Sequence, residues 1–201
     1  MPISAEELLS VARNYWRSDH EFDDKPENSP ETERFHDAWE QALKKLDQWR
    51  ALMGELRVAF PKFNIGHATA TCDACFKCMV YTNREPMPSN RQEDEPRLRG
   101  WVVVGCLSVL APVYTVYGVQ YDYKGQEVNP AAARVFLDPL PPEMQALAEV
   151  IAGKIEARFG AEALPREIAE LRVPLIVHFK EPPETTLFHA LFTPEPENLP
   201  L

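Results

Sequence analysis

Apolar residues recur at helical spacing over roughly the first sixty positions. The pattern then changes to the alternation and short apolar runs of strands. Ser4-x-x-Glu7 has the spacing of a capping box, with Leu8, Val11, Ala12 and Tyr15 following on one face, so a first helix is predicted over 4–17. The stretch 18–29 is polar and acidic and reads as a loop. Ser29-Pro30 then supplies an N-cap followed by proline at the first helical position. Phe35, Trp39, Ala42, Leu46, Trp49, Met53 and Leu56 alternate steps of four and three, and Leu43 and Leu52 widen the stripe. That predicts one long second helix ending before Pro61, lying across a sheet or against the first helix.

Beyond Pro61 the β-formers Val, Tyr, Thr and Phe dominate, and strands are predicted over 64–72, 75–82, 101–110, 113–123 and 133–137. Leu110-Ala111-Pro112 is either a tight reversal or a bend within one strand. Thr82–Gly100 reads as an uncommonly long loop, of the kind associated with function or disorder. Pro139, Pro141 and Pro142 introduce a third helix. Its buried face is Met144, Leu147, Ala148, Ile151, Ile155 and Phe159, and Gly160 suits its stop. A helical turn is expected near 165–170, followed by closing strands over 173–179 and 186–192, with Pro182-Pro183 between them. The tail 193–201, rich in Pro and Glu, is expected to lie on the surface or fray. There is no internal repeat. Strand and helix do not alternate as in a doubly wound fold, so the chain reads as a single α+β domain. Helical 1–60 and a helix within 139–192 pack on a mostly antiparallel sheet over 64–137.

Composition adds charge and stiffness. The 201 residues hold 21 Lys+Arg against 31 Asp+Glu, a formal charge of −10, and 19 prolines against 8 glycines. Eleven of those prolines fall from Pro130 onward, where they bracket the third helix and the closing segments. No run approaches the roughly 20 apolar residues of a membrane span. Met1–Glu7 lacks the basic region and apolar core of a secretory signal, and four cysteines without an export signal suit a reducing compartment. The expectation is a cytoplasmic protein that binds neither membrane nor nucleic acid, since a phosphate backbone rewards Lys and Arg. An acidic chain is suited instead to a basic partner protein.

Candidate chemistry begins with Cys72-Asp73-Ala74-Cys75-Phe76-Lys77-Cys78, two overlapping C-x-x-C steps with His67 upstream and Cys106 on a later strand. Three thiolates and an imidazole would satisfy zinc, which makes a zinc-binding adaptor or small zinc enzyme the alternative reading. The iron–sulfur pattern lacks its fourth Cys-Pro. In a continuous strand, however, Cys72 and Cys78 would share one face and Cys75 the other, and cysteine also serves as a small buried hydrophobe. Asp122-Tyr123-Lys124 matches the D-x-K fragment of restriction-endonuclease-like sites, but 101–121 contains no acidic residue to complete it. His178 and His189 fall on predicted strands as core or surface histidines. Tyr114, Tyr117, Tyr121 and Tyr123 place rings on both faces of their strand, as core packing. No nucleophile elbow, zincin, phosphate-loop or dinucleotide motif occurs, so no catalytic residue and no cofactor is assigned. Acidic clusters remain at Asp19–Asp24, at Glu93-Asp94-Glu95 and from Glu181 to Glu197. Asp19, Glu21, Asp23, Asp24, Glu93, Asp94 and Glu95 are the candidate partner interface. Homo-oligomerisation stays open, because the second helix could bury its stripe within one chain or between two.

The C-terminal half carries a resemblance. Phe136-Leu137-Asp138-Pro139-Leu140-Pro141-Pro142-Glu143 leads into Ala146–Ile151 and Ile155–Gly160. Leu164-Pro165, Arg172-Val173-Pro174 and Thr186–Phe192 follow, and Val104–Pro112 joins an aromatic strand upstream. Spread over about residues 4–192, this arrangement resembles the immunity protein 52 family of bacterial polymorphic-toxin systems. The resemblance implies a cytoplasmic, non-enzymatic antitoxin of a toxin–immunity pair. Its partner would be an effector delivered by, among others, the type VI secretion system, typically with a restriction-endonuclease-like nuclease domain. The residues that carry it are packing and turn residues, so no site residue transfers.

Overall fold

The capping box at Ser4 closes as its spacing predicts. In the computed structural model, which describes residues 3–21, 25–87, 97–124, 127–129, 132–137 and 139–201, Ser4 Oγ accepts the Glu7 N–H at 3.2 Å. The Glu7 carboxylate accepts the Ser4 N–H in return at 2.8 Å. Helix α1 (Ala5–Ala12) is shorter than predicted, ending at Arg13, after which turns carry Trp16 inward. A 3₁₀ turn (Pro26–Asn28) precedes α2 (Pro30–Leu43), whose N-cap Ser29 accepts the Thr32 N–H.

The predicted long second helix is two helices. Lys44 and Lys45 form a turn, with Lys45 at φ −96° and ψ 7°, and α3 (Leu46–Ala59) follows. The apolar stripe is buried on both sides of the break, while Leu43 is left 45% exposed. One straight helix would carry its stripe away from a twisted sheet. The break lets Trp39 meet Phe76 edge-on and Trp49 stack on the same ring, each at 5.4 Å.

The sheet is eight-stranded: β1 (Asn64–Ala68), β2 (Cys75–Tyr81), β3 (Glu85–Pro86), β4 (Arg97–Ser108), β5 (Val113–Lys124), β6 (Glu127–Val128), β7 (Arg134–Phe136) and β8 (Glu162–Ala163). The order is β1-β2-β4-β5-β6, with β3 on β4 and β7 and β8 on β5; among the described residues only the β5–β8 pairing is parallel. Residues 109–112 make a tight reversal between β4 and β5, in which Leu107 pairs with Tyr114. The long loop predicted over 82–100 contains β3 and the first turns of the β4 ladder, so it is shorter than expected; 88–96 lie outside the described residues.

Strand alternation sorts the core into two layers. Phe76, Cys78 and Val80 of β2, opposite Leu107, Gly105 and Val103 of β4, face α3 and α4 (Pro142–Phe159). Gly105 is where α4 comes closest, since a Cβ there would sit 2.5 Å from Ile151 Cγ2 and 2.8 Å from Cys78 Sγ. Glu55 of α3 bonds both Lys154 and Arg158 of α4 across the helix pair. Gly160 ends α4 in the left-handed region, at φ 62°, as its position predicts.

The other sheet face carries Lys77, Met79 and Tyr81, opposite Cys106, Val104 and Val102, and continues through Tyr117 and Tyr121 of β5. The closing segments lie here, and they differ from prediction. After α5 (Arg166–Ala169), the described residues 173–177 make single bridges, at Ile176 with Arg17 and Val177 with Lys180, and residues 178–179 form a turn. Pro174 has no N–H to give a ladder. Residues 186–192 are not a strand: Leu187–Leu191 form helix α6. Thr186 is its N-cap, and His189 Nδ1 accepts the Thr186 N–H at 3.0 Å. The tail 193–201 does not fray, because Thr193, Pro194, Pro196 and Leu199 are buried against the tyrosine-bearing face. The architecture is α+β. Among the described residues no helix is long and apolar enough to cross a membrane.

Candidate functional site

The cysteines divide as the strand period requires. Cys72 is exposed in the turn before β2, whereas Cys75, Cys78 and Cys106 are buried. Cys75 shares the tail-side face with Cys106, and Cys78 points the opposite way, into the α4 layer. Burial and the neighbouring Cys106 push the Cys78 thiol up to about 12, and burial pushes Cys75 up as well. His67 lies opposite Cys78 in register but is exposed. Among the described residues no three His, Cys, Asp or Glu side chains are gathered to hold a metal ion. The ligand set suggested by the spacing is therefore not brought together.

Asp122 of the D-x-K tripeptide spends its carboxylate on Arg99, 3.4 Å away, and Tyr123 lies beneath the Arg84 guanidinium at 4.0 Å. The most enclosed charges belong to Asp73 and Lys77, whose side chains are 9% and 6% exposed and 2.8 Å apart. Lys77 Nζ also donates to Thr193 Oγ1 at 3.1 Å.

The candidate interaction site is a pair of adjoining clefts where the segment after α1 (residues 13–21), the start of α2 and residues 174–178 meet. Trp16 anchors it: its indole N–H donates to the Ala190 carbonyl at 2.7 Å, and its ring lies 4.9 Å from Phe35 and 5.1 Å from His178. Arg34 fixes the opening of α2 by donating to the Asn14 carbonyl and pairing with Glu31. The first cleft, about 310 Å³, has Tyr15, Trp16, Phe35 and His178 among its walls, with Glu27 and Glu31 alongside. The second, about 600 Å³, is lined by Arg13, Arg17, Asp19, Glu21 and Glu31, among others.

His178 sits at φ 55° in a two-residue reversal closed by reciprocal hydrogen bonds between Val177 and Lys180. A non-glycine residue in this region costs about 1–2 kcal/mol. The imidazole is held edge-on to Trp16 and Phe35. Burial holds His178 below its ordinary 6.5 against the opposing charge of Asp73. The turn leaves Phe179 70% exposed beside the clefts.

Of the residues proposed from sequence, Asp19 and Glu21 are exposed and line the second cleft, with Asp19 Oδ1 accepting the Glu21 N–H at 3.1 Å. Asp23, Asp24, Glu93, Asp94 and Glu95 lie outside the described residues. Trp16, His178 and Phe179 were missed, because nothing in the run Pro174–Phe179 distinguishes a displayed turn from a buried strand. Compared with protein families, curated protein sequences and solved structures, the chain gives no match.

Proposed function

We propose that the chain is an immunity protein that binds and neutralises a cognate bacterial toxin, a basic nuclease effector of restriction-endonuclease-like type, in the cytoplasm. The observation that carries this reading is the aromatic cleft of Trp16, Phe35 and His178, with exposed Phe179 beside it and Asp19, Glu21 and Glu27 around it, on a chain of net charge −10. A nuclease must be basic where it grips phosphate. An acidic protein competes for that surface by charge, while a desolvated aromatic anchor supplies the slow dissociation. The resemblance of the C-terminal half to the immunity protein 52 family supports the same reading.

The test asks first whether the chain captures a nuclease toxin from its own cells, and then reconstitutes the pair. Nuclease activity on plasmid DNA should fall to background at an equimolar ratio, and the association rate should drop as salt rises. Undiminished cleavage in the presence of excess immunity protein would overturn the proposal.

A further inference from the structure

The C-terminal segment lies on the sheet as a peptide lies on a receptor. Three tyrosine hydroxyls donate to its main-chain carbonyls: Tyr117 to Pro196 at 3.2 Å, Tyr121 to Glu197 at 2.6 Å and Tyr81 to Pro200 at 2.6 Å. Lys77 holds its first residue through Thr193 Oγ1. Pro194, Pro196 and Leu199 are its buried side chains. These anchors stand on β2 and β5, which are joined through β4 by continuous ladders that the segment takes no part in. Among the described residues, the backbone-to-backbone hydrogen bonds of 193–201 run within it, from the Asn198 N–H to Glu195 and from the Leu199 N–H to Glu197, closing a turn. The segment is thus held by side chains alone and can leave without breaking a strand pairing.

We propose that the tyrosine track across β2, β4 and β5 is a binding site for a turned, proline-bearing peptide, and that it accepts the C-terminal segment of a second copy of this chain. The track has one demonstrated ligand, the chain's own Thr193–Leu201, and a second copy carries that same ligand. Three prolines restrict the segment's backbone, and its turn at Glu195–Asn198 closes on itself, so little conformational freedom is lost on docking. Its carbonyls, unused by any ladder, are what the tyrosine hydroxyls require. Within one chain the tether gives the segment an effective concentration on the order of millimolar, so the resident copy wins at ordinary protein concentration. Exchange between chains then becomes visible when the resident segment is weakened.

The test mixes two full-length variants. Leu199→Asp spoils the segment and leaves the track intact, whereas Tyr81→Phe with Tyr121→Phe weakens the track and leaves the segment intact. Sedimentation of the mixture should show a heterodimer that neither variant forms alone. A labelled peptide of sequence 193–201 should bind the Leu199→Asp chain about tenfold or more tightly than the unmodified chain. Absence of both heterodimer and peptide binding, with both variants folded by circular dichroism, would overturn the proposal. Should either variant fail to fold, hydrogen exchange on the unmodified chain decides. Amides of Glu197 and Leu199 exchanging well before those of β2 and β5 support an exchangeable ligand, and exchange only on global unfolding rules it out.

Discussion

Lys77 Nζ lies 2.8 Å from the Asp73 carboxylate in a region where both side chains are nearly closed to solvent. One end of this pair meets the tail at Thr193, and the Asp73 carbonyl accepts the Trp39 indole N–H at 2.9 Å. The ion pair therefore ties the turn before β2 to α2 on one side and to the C-terminal segment on the other. Removing one charge strands its partner. Lys77→Met or Asp73→Leu alone should cost about 3–5 kcal/mol, while the double replacement should cost clearly less than the sum. Urea unfolding of the four chains of the cycle measures this, and additive losses would mean that the two groups do not act as a pair.

Gly105 is set by the approach of α4. A methyl group there would press on Ile151 at 2.5 Å and on Cys78 Sγ at 2.8 Å, and both neighbours are buried. Gly105→Ala should destabilise by about 1–3 kcal/mol through overpacking, and combining it with Ile151→Ala should cost less than the sum of the two single losses. Equilibrium denaturation distinguishes this from a backbone effect, because Gly105 lies within strand β4 and not in the left-handed region.

Thiol chemistry should follow the two-face sorting of β2. Cys72 is exposed, whereas Cys75, Cys78 and Cys106 are buried and the Cys78 thiol is pushed up to about 12. A disulfide reagent should therefore titrate one thiol in the native protein and four after unfolding. Rapid loss of more than one native thiol would show that the sheet opens.

Legibility in the sequence tracked how far a local pattern decides a structure. Ser4-x-x-Glu7, Ser29-Pro30 and Gly160 each specify a helix end through groups a few residues apart, and each appears as expected. The opposite faces of Cys75 and Cys78 follow from strand alternation alone. Thr186–Phe192 misled because a short, almost wholly apolar run fits helix and strand equally. Its helix is selected by the His189 side chain capping Thr186 and by burial of Phe188 against Tyr117. The break at Lys44–Lys45 comes from the shape of the sheet beneath, which no spacing within the helix encodes. Of the candidate site the sequence marks only the charge, at Asp19 and Glu21, because the Trp16–His178 contact joins positions too far apart in sequence for any motif.

Acid stability should reflect two partly desolvated histidines, His189 and His178. Burial, reinforced by Lys180, lowers His189 from 6.5 to about 4, and burial lowers His178 as well. Above about pH 6.5 neither the folded nor the unfolded chain protonates these rings. Between about 6.5 and 4 the unfolded chain takes up the proton at His189 and the folded chain does not, so stability falls with pH. Below about 4 this contribution levels off. His189→Asn keeps an acceptor for the Thr186 N–H and should flatten the pH dependence of the melting temperature over that window. An unchanged slope would show that His189 is not the group responsible.

Phe179 separates binding from folding most cleanly. At 70% exposure it contributes little to the core, so Phe179→Ala should change stability by no more than about 0.5 kcal/mol. If the cleft face is the toxin-binding surface, the same change should weaken the complex about thirtyfold, the ~2 kcal/mol of an interface hot spot, with the loss appearing in the dissociation rate. Charge reversal at Asp19 and Glu21 should act on the association rate instead, and its effect should fade at high salt. His178 links the two properties, because its left-handed backbone aims Phe179 outward while its ring is seated against Trp16 and Phe35. His178→Gly keeps the turn and gives up the ring contacts, so it should lower stability while leaving part of the affinity. His178→Val strains the turn itself and should lose both. A Phe179→Ala chain that binds the toxin as tightly as the unmodified one would move the interface away from this face.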